Sequence, residues 1–413
     1  MKKHTIHSIL LALALAGIGF AQPIYKATPF PTPPGYYQLS FTYMSPDATS
    51  GVGSATLTNG ASNVPVAYFC FEYDKGNYTV LPTPGYSCYA WAGNSTGDLV
   101  GWLIDLNQMQ AQAANPNAPS PAYQLFYYSK AQNAFKPIPE IPNYNRSVAP
   151  SVGYALLPPF LEYLTDAGEI YGQNYGPKPG DTTLLFDYSE DVWTAFKLTP
   201  EGTYSALPPH APKDSTSLSW VDAKGNAFGF SFPQATLGDM FEWTAAGGLI
   251  DLTETLRQPG LTSYYVNAQG HTLEIVNDFA TAQSICVFSN GKSNLTIQLP
   301  PNTKDCQASM NDNDDMLGIW LPIPSNPKIA VVNIPFYFNP GMKQAVDINS
   351  VTEGLPKGMV LISAGFVNPH GRLVTATGLE GGLLQYGPYG PPASAYVTYL
   401  LTPIEAADSK PQQ

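Results

Sequence analysis

The residues best suited to bind a metal ion lie in the run NDNDD, from Asn311 to Asp315. Oxygen-bearing side chains at alternate positions (Asn311, Asn313 and Asp315) are typical of the first part of a calcium loop. The run lacks the downstream glutamate that completes such a loop, and it coincides with a predicted hairpin turn. We therefore expect a structural turn here, with a weak Ca²⁺ site as the alternative, and we expect no other cofactor.

Histidine supplies the next candidates for metal binding. Beyond the first 21 residues the chain contains His210, His271 and His370. His271 and His370 flank glycines at equivalent positions of two repeats, so we expect both on one rim of the fold. Because they belong to different repeats, we do not expect them to share a metal ion.

Two phrases place acids beside tryptophan, a combination that can cradle a sugar: SEDVW ends at Trp193, and GDMFEW ends at Trp243. Two tyrosines, Tyr386 and Tyr389, lie within Gly-Pro turns of LLQYGPYGPPASAY and could form a rigid aromatic platform. These four residues are the candidate ligand-binding residues. The alternative is that the tryptophans pack between repeats and that the tyrosines belong to an ordinary loop.

Motifs of known catalytic classes are absent from the sequence, which has no G-x-S-x-G elbow, nucleotide-binding loop or H-E-x-x-H pair. We assign no catalytic residue. The chain carries 31 acidic and 19 basic residues, a formal net charge of −12. Since phosphate binding depends on clustered basic side chains, this charge argues against nucleic acid as a partner.

A repeated β-hairpin must position these residues. The phrase SWVDAKGNAFGFSF at 219–232 returns in variant form from Tyr163, Tyr264, Ala308 and Gly365. A glycine with positive φ closes a tight hairpin, and a preceding Asn or Asp can bond its own backbone. The predicted turn positions are Gly97, Gly168, Gly225, Gly270, Asp314 and Gly371.

Each hairpin is followed by two further strands, so that every unit has four strands, as a propeller blade does. We place the fourth strand of the third unit at AFKLTP, from Ala195, and read the polar insert from Asn107 as a surface loop. The sequence predicts an all-β, seven-bladed propeller. Six or eight blades, an open β-solenoid or two sandwiches are the alternatives. The units begin near Tyr36, Gly85, Ser151, Ser217, Thr262, Gln307 and Met359.

The ends of the chain predict how the ring closes. The seventh unit supplies only three strands before a polar tail, 404–413, which we expect to be disordered. Residues 22–35 contain an orphan strand, Ile24–Phe30, and a linker ahead of the repeat domain at 36–403. Pairing that strand with the last unit would satisfy both free edges.

The first 21 residues resemble a signal peptide, with a basic start, a short apolar run and small residues before Ala21. We expect cleavage near Ala21, a secreted product and no transmembrane segment. Four cysteines in an exported chain favour disulfides. Their spacing favours Cys70–Cys88 with Cys286–Cys306, whereas the two other connectivities and four buried thiols remain open.

One stretch, VDAKGNAFGFSFPQATLGDMFEWTAAGGLIDLTETL (221–256), resembles the HAF repeat of bacterial exported proteins. That repeat pairs an I-N-x-x-G-x-x-x-G hairpin with A-F-x-W and D-L-x-x-L strands. The segment 346–403 resembles the closing unit of the same family, although no unit keeps the His-Ala-Phe triplet. The resemblance covers the last three or four units and implies export and a repeat fold. The resemblance implies no particular activity and assigns no catalytic residue.

These observations predict an exported, non-catalytic scaffold that binds a glycan, a cell-envelope component or a protein partner through loops on one face. One alternative is a secreted propeller hydrolase or lyase that acts on polysaccharide, and another is a structural surface component. Clustered Asp, Glu, His or Tyr side chains at the mouth of the central channel would favour the enzyme.

Overall fold

The structure is a computed structural model. It describes residues 24–30, 32, 38–58, 65–115, 117–118, 121–139, 141, 159–176, 192–199, 201–212, 214–222, 224–232, 238–253, 261–278, 283–300, 303–322, 334–368, 370–382 and 395–404. The predicted signal peptide, Tyr386, Tyr389 and all but the first residue of the predicted tail lie outside these ranges. No helix of the described part is long and apolar enough to cross a membrane.

The described chain forms seven sheets, each built on four antiparallel strands, which are the blades of a β-propeller; one sheet has a fifth strand that is paired in parallel. Blade 1 contains β2 (Gln38–Met44), β3 (Ser50–Thr58), β4 (Pro65–Asp74) and β5 (Asn77–Val80). Blade 2 contains β6 (Tyr86–Gly93), β7 (Leu99–Asp105), β8 (Tyr123–Ser129) and β9 (Ala134–Pro137). Blade 3 contains β10 (Phe160–Leu164), β11 (Ile170–Gly176), β12 (Val192–Leu198) and β13 (Tyr204–Ala206).

The next three blades repeat the arrangement. Blade 4 contains β14 (Ser215–Val221), β15 (Ala227–Phe232), β16 (Asp239–Trp243) and β17 (Leu249–Asp251). Blade 5 contains β18 (Leu261–Val266), β19 (Thr272–Asp278), β20 (Gln283–Ser289) and β21 (Asn294–Thr296). Blade 6 contains β22 (Thr303–Met310), β23 (Met316–Pro322), β24 (Ile334–Phe338) and β25 (Val346–Asp347). In each of the first six blades the strands pair in chain order, as a meander.

Blade 7 joins the two ends of the described chain. Its strands are β27 (Met359–Phe366), β28 (Val374–Glu380), β29 (Tyr396–Pro403) and the N-terminal β1 (Tyr25–Pro29). β1 pairs antiparallel with β29, from Tyr25 opposite Pro403 to Pro29 opposite Tyr399. The predicted closure is therefore confirmed, and so are the seven blades. A short strand, β26 (Thr352–Glu353), pairs with the outer edge of β1 and covers it.

Burial explains why the inner strands are apolar on both faces. Each blade is stacked between two neighbours, so the β15 sequence AFGFSF is buried at five consecutive positions, whereas the outer strand β17 is exposed throughout. Apolar clusters fill the interfaces between successive blades. One of them joins Phe41 of blade 1 to Leu373 and Leu400 of blade 7 and so completes the ring. Hydrophobic burial between blades is thus the main stabilising term of the fold.

A glycine recurs at the same place in the second strand of five blades, because the neighbouring first strand approaches closely there: Gly53, Gly101, Gly172, Gly229 and Gly318. A Cβ added to Gly229 would lie 1.9 Å from the Ser217 carbonyl oxygen, and one added to Gly318 would lie 2.2 Å from that of Gln307. No side chain fits in such a space. In blade 5 the corresponding residue, four positions after the turn glycine, is the buried Glu274.

Both disulfides join neighbouring blades. Cys70 of β4 is bonded to Cys88 of β6, and Cys286 of β20 is bonded to Cys306 of β22. Each bridge links the third strand of one blade to the first strand of the next, so the two have the same place in the repeat. The pairing that the spacing favoured is confirmed.

Two sequence-based expectations about elements were wrong. The insert after β7 is not a plain loop, because it begins with helix α1 (Leu106–Ala114), whose N-cap residue Asp105 accepts a hydrogen bond from the Gln108 N–H. In blade 3 the phrase from Ala195 belongs to the third strand, β12, and the fourth is β13. The three-residue strand β13 has too little periodicity to be recognised in the sequence. A 3₁₀ turn, η1 (Ile348–Val351), precedes β26.

Candidate binding site at the channel mouth

A cavity of about 520 Å³ opens on the propeller axis, at the end where the first strands run into their turns. Residues from six of the seven blades line it, which places it on the axis of the ring. We call it the channel mouth. Its lining includes the aromatic residues Tyr43, Trp91, Tyr163, Trp220 and Phe366, the acids Glu162, Asp166, Asp222 and Asp312, and His370.

The turns that ring the channel mouth are built from side chains as well as backbone. In blade 2 the Asn94 carbonyl accepts from the Gly97 N–H at 3.0 Å, and its side-chain oxygen accepts from the Asp98 N–H at 2.9 Å. The Asn94 amide then donates to the Thr165 carbonyl of blade 3 at 3.0 Å. The turn asparagine therefore closes its own hairpin and fastens it to the next blade.

Positive φ angles occur at most of the predicted turn positions. Gly97, Gly168, Gly225 and Gly270 have φ between 75° and 85°, and Asp314 has φ 62°. Gly371 does not have a positive φ. Its turn is wider, since the last backbone pair there joins the Val367 N–H to the Leu373 carbonyl. The six positions are thus not conformationally equivalent, and the expectation of a positive φ at Gly371 was wrong.

In blades 1 to 4 the first strand has an irregular register three residues before the residue that begins the turn. The irregular positions are Thr42, Trp91, Glu162 and Ser219, and the turns begin at Ser45, Asn94, Thr165 and Asp222. A β-bulge inserts one residue and re-aims its side chain. Three of these four, Thr42, Trp91 and Glu162, line the channel mouth. The bulge is therefore the local feature that directs these three side chains into the cavity on the propeller axis.

Glu162 is held by a short chain of hydrogen bonds. The Leu218 N–H donates to Gln173 Oε1 at 3.2 Å, which fixes the orientation of that amide, and Gln173 Nε2 donates to Glu162 Oε1 at 2.7 Å. Burial raises the pKa of Glu162 to about 7, although the Gln173 hydrogen bond acts in the opposite direction. The carboxyl group therefore changes charge near neutral pH.

Aromatic rings surround this carboxyl group. Trp220 contacts Tyr163 with ring centroids 5.8 Å apart and Tyr265 at 5.5 Å. Burial, and then the Glu162 charge, raise the pKa values of both tyrosines, so both are within electrostatic reach of that carboxylate. Trp91, on the wall formed by blade 2, contacts Phe160 at 5.6 Å. The result is an acid within an aromatic enclosure.

Both tryptophans that line the channel mouth carry a buried N–H group that no described residue accepts. Trp220 is 6% exposed, and the Nε1 atoms of Trp91 and Trp220 are buried without a hydrogen-bond partner in the described part of the chain. A buried donor without an acceptor is costly. A ligand in the channel mouth could supply that acceptor.

The other acids form a rim above Glu162. Asp166 accepts a hydrogen bond from the Ser95 N–H of blade 2 at 2.9 Å. Asp222 stabilises its own turn by accepting from the Asn226 N–H at 2.8 Å. The donors in these contacts are uncharged N–H groups, so they do not cancel the charge of the carboxylates. The rim therefore gives the channel mouth a negative potential.

The run NDNDD forms the blade 6 turn and is clamped on both sides. Its Asp312 meets His370 Nδ1 of blade 7 at 2.8 Å, and its Asp314 meets His271 Nδ1 of blade 5 at 2.9 Å. Asp315, 2% exposed, accepts from Arg372 Nε at 2.6 Å. Both histidines do lie on one rim, and each is partly buried against an aspartate. They are therefore not simply exposed turn residues.

The same run was the weak calcium candidate. The side-chain oxygen of Asn311 accepts from the N–H groups of Asn313 and Asp315, each at 2.9 Å, and Asp315 is surrounded by protein donors. Within the described ranges, no three His, Cys, Asp or Glu side chains are grouped so as to hold a metal ion. The side-chain oxygen atoms of Asn311 and Asp315 are therefore already engaged as acceptors of protein hydrogen bonds.

The structure does not bring the two tryptophan candidates together. Trp243 is 3% exposed and donates through Nε1 to the Pro208 carbonyl at 2.9 Å, so it packs in the core. It pairs with Ala227 beside the turn, whereas Trp193 pairs with Tyr175 at the far end of its strand. The two therefore do not occupy corresponding strand ends, and neither lines the channel mouth.

Sequence reasoning missed Glu162, Trp91 and Trp220. The sequence did hold a signal for the first two, since both stand three residues before a turn residue in the aligned repeats. An acid within the otherwise apolar strand FLEYL was the clearer sign. A charged residue in an inner strand needs a reason, because its burial is costly.

No family model matches this sequence, and no curated protein matches it. Solved structures resemble it at low identity. The acylaminoacyl peptidase of Pyrococcus horikoshii is 11% identical with a TM-score of 0.48, over 83% of this chain and 49% of that one. YCF48 bound to D1 peptide is 11% identical with a TM-score of 0.46, over 92% and 97%. Virginiamycin B lyase from Staphylococcus aureus is 11% identical with a TM-score of 0.41, over 91% and 98%.

This chain spans about half the length of the peptidase. All three similarities concern the arrangement of the fold. The sheet order described above, rather than these scores, establishes the propeller. Nothing about ligand or activity follows from them.

Proposed function

We propose that this chain is an exported, non-catalytic propeller that binds a glycan at the channel mouth. The observation that carries the proposal is the lining of that cavity, in which aromatic rings and carboxyl groups from several blades converge. Apolar sugar faces pack on aromatic rings, and sugar hydroxyls bond carboxylates. The volume of about 520 Å³ also lies in the range of small-molecule sites.

Export is supported by the two disulfides, because such bonds persist in oxidising compartments. The basic and apolar start of the sequence and its likeness to the HAF repeat agree with that location. Membership of the HAF-repeat family is part of this proposal. A cell-envelope polysaccharide would be a ligand available to such a protein.

The test is a glycan array followed by calorimetric titration of the full chain with each positive glycan. We expect Trp91→Ala to weaken binding at least tenfold, the equivalent of about 1.4 kcal/mol. The matched control is Tyr86→Ala, which removes an aromatic ring that is 42% exposed and outside the cavity. Equal losses in both variants, or no glycan bound at any concentration, would contradict a channel-mouth glycan site.

The second candidate function is a hydrolase or lyase that acts on polysaccharide. The clustered Asp, Glu, His and Tyr side chains of the channel mouth are the feature expected of an enzyme, and Glu162 supports this function most directly. A carboxyl group whose pKa is raised to about 7 is suited to donate or accept a proton at neutral pH. The measurement is product release from the glycans that bind. Turnover by the unaltered chain that Glu162→Gln abolishes would replace the binding proposal with the enzyme.

A further inference from the structure

The charges of the side chains that line the channel mouth narrow the class of ligand further. Among its described lining residues the acids are Glu162, Asp166, Asp222 and Asp312, and the one basic residue is His370. His370 is already paired with Asp312 at 2.8 Å. The described part of the lining contains no lysine or arginine, so the net charge that it offers to a ligand is negative.

An anionic enclosure walled by Trp and Tyr is a receptor for a cation. The faces of these rings attract positive charge within about 6 Å of the ring centroid, and desolvation strengthens the attraction. Glu162 is placed to complete such a site. One of its oxygens is fixed by Gln173, and the described structure gives its other oxygen no hydrogen bond.

A second observation indicates that the ligand carries hydrogen-bond acceptors as well as a positive charge. The Trp220 side chain lines the cavity, is 6% exposed, and has an Nε1–H group that no described residue accepts. A simple alkylammonium ion has no acceptor to offer it. A sugar ring carries hydroxyl oxygens next to an apolar face, and an amino sugar adds an ammonium group.

We propose that the channel mouth binds a protonated amino sugar, with its ammonium group at Glu162 and a hydroxyl oxygen at the Trp220 indole N–H. The proposal rests on the glycan-binding function above and specifies its ligand class. The apolar face of the ring packs on the aromatic wall. The rim acids Asp166 and Asp222 attract the cation before it enters.

The test compares three disaccharides of similar size by calorimetric titration of the full chain: the β-1,4 glucosamine dimer, its N-acetylated form and cellobiose. The glucosamine dimer is expected to bind most tightly. Glu162→Gln should weaken its binding roughly tenfold or more, the equivalent of one charge-assisted hydrogen bond, and leave the two neutral dimers unchanged. Glu242→Gln is the matched control, since burial also raises the pKa of Glu242 but that residue lies outside the cavity.

The pH profile gives a second readout. Glu162 is protonated below its pKa of about 7 and charged above it. Affinity for the glucosamine dimer should therefore pass through a maximum, because it rises as Glu162 loses its proton and falls as the ligand amine loses its own. Cellobiose, which has no charge, should show no such rise. The profile should be flat below the amine pKa in Glu162→Gln.

Trp220→Phe tests the hydrogen bond because it keeps an aromatic ring, although a smaller one, and removes the N–H group. We expect binding to weaken several-fold, the equivalent of one neutral hydrogen bond. Trp320→Phe is the control, because the Trp320 Nε1 is also buried without a described acceptor but lies outside the cavity. A loss in both variants would show a structural effect and overturn the role given to Trp220.

Failure of this inference and failure of the proposed function are distinguishable. Equal binding of all three dimers, unaffected by Glu162→Gln, would overturn the amino-sugar ligand and leave the glycan function standing. No binding of any glycan would overturn both. Binding of spermidine as tight as that of the glucosamine dimer would show a cation site without sugar recognition, and it too would overturn the proposal.

Discussion

The clamp around Asp315 gives the sharpest test of how the blades are held together. This aspartate is 2% exposed and accepts from the Tyr337 hydroxyl at 2.6 Å, Arg372 Nε at 2.6 Å, Asn339 Nδ2 at 3.2 Å and Asn311 Nδ2 at 3.4 Å. It thereby joins the blade 6 turn to the blade 7 turn. Asp315→Ala would leave these donors without their shared acceptor.

We expect that substitution to lower the free energy of unfolding by about 3–5 kcal/mol, because the buried Tyr337 hydroxyl and Asn311 amide lose their acceptor at a cost of about 1–3 kcal/mol each, and Arg372 loses its partner. Arg372→Ala should cost less, about 1–3 kcal/mol, because its side chain is 41% exposed and Asp315 keeps three donors. The double variant should cost less than the sum of the two single losses. The difference, about 1.5–3 kcal/mol, measures the coupling between the two side chains.

Urea unfolding followed by tryptophan fluorescence provides the assay. Asp98→Ala is the comparison, since Asp98 has the same place in the blade 2 turn but is bonded by uncharged donors such as the Tyr127 hydroxyl at 2.8 Å. It should show no coupling to Arg372. A loss below about 1 kcal/mol for Asp315→Ala, or additive losses in the double variant, would refute the clamp.

Three further perturbations test the same architecture. Replacing Cys286 and Cys306 with serine should lower the free energy of unfolding by about 3 kcal/mol, because the bridge closes a loop of about 20 residues. Urea unfolding measures this loss, and an unchanged midpoint would contradict it. Deleting residues 24–30 should expose the edge of β29 and produce oligomers detectable by light scattering, whereas a stable monomer would show that β1 is dispensable. Burial would raise the pKa of Asp312, but hydrogen bonds from His370 and a backbone N–H lower it below the ordinary 3.8. The ionised Asp312 carboxylate therefore stabilises the fold above pH 3.8, and this stabilisation is lost as the pH falls through the lowered pKa. The free energy of unfolding, measured between pH 6 and 3, should consequently depend less on pH in Asp312→Asn than in the unaltered chain.

Local chemistry explains why the sequence predicted the fold well. A turn such as Asn94 to Asp98 is specified by residues within five positions, because the Asn side chain bonds the backbone of its own turn. Four-strand units must stack to bury their faces, so repetition of the turn predicts the ring. Helix α1 was missed because its composition is polar and it is only nine residues long.

The candidate site was not predicted for a different physical reason. Trp91, Glu162 and Trp220 come from three blades, and no local spacing relates them. The tryptophans chosen from the sequence adjoined acids along the chain, but adjacent residues of a strand face opposite sides of the sheet. Trp243 consequently packs in the core.

The sequence by itself predicted the repeat, most of its turns and the strand that closes the ring, and it favoured the correct cysteine pairs, because each depends on nearby residues or on an unsatisfied edge. Only the tertiary structure decided which side chains meet on the axis. That choice depends on where the bulges at Trp91 and Glu162 aim their side chains once seven blades surround a common channel. Burial there, and not the identity of the residue, raises the pKa of Glu162 to about 7.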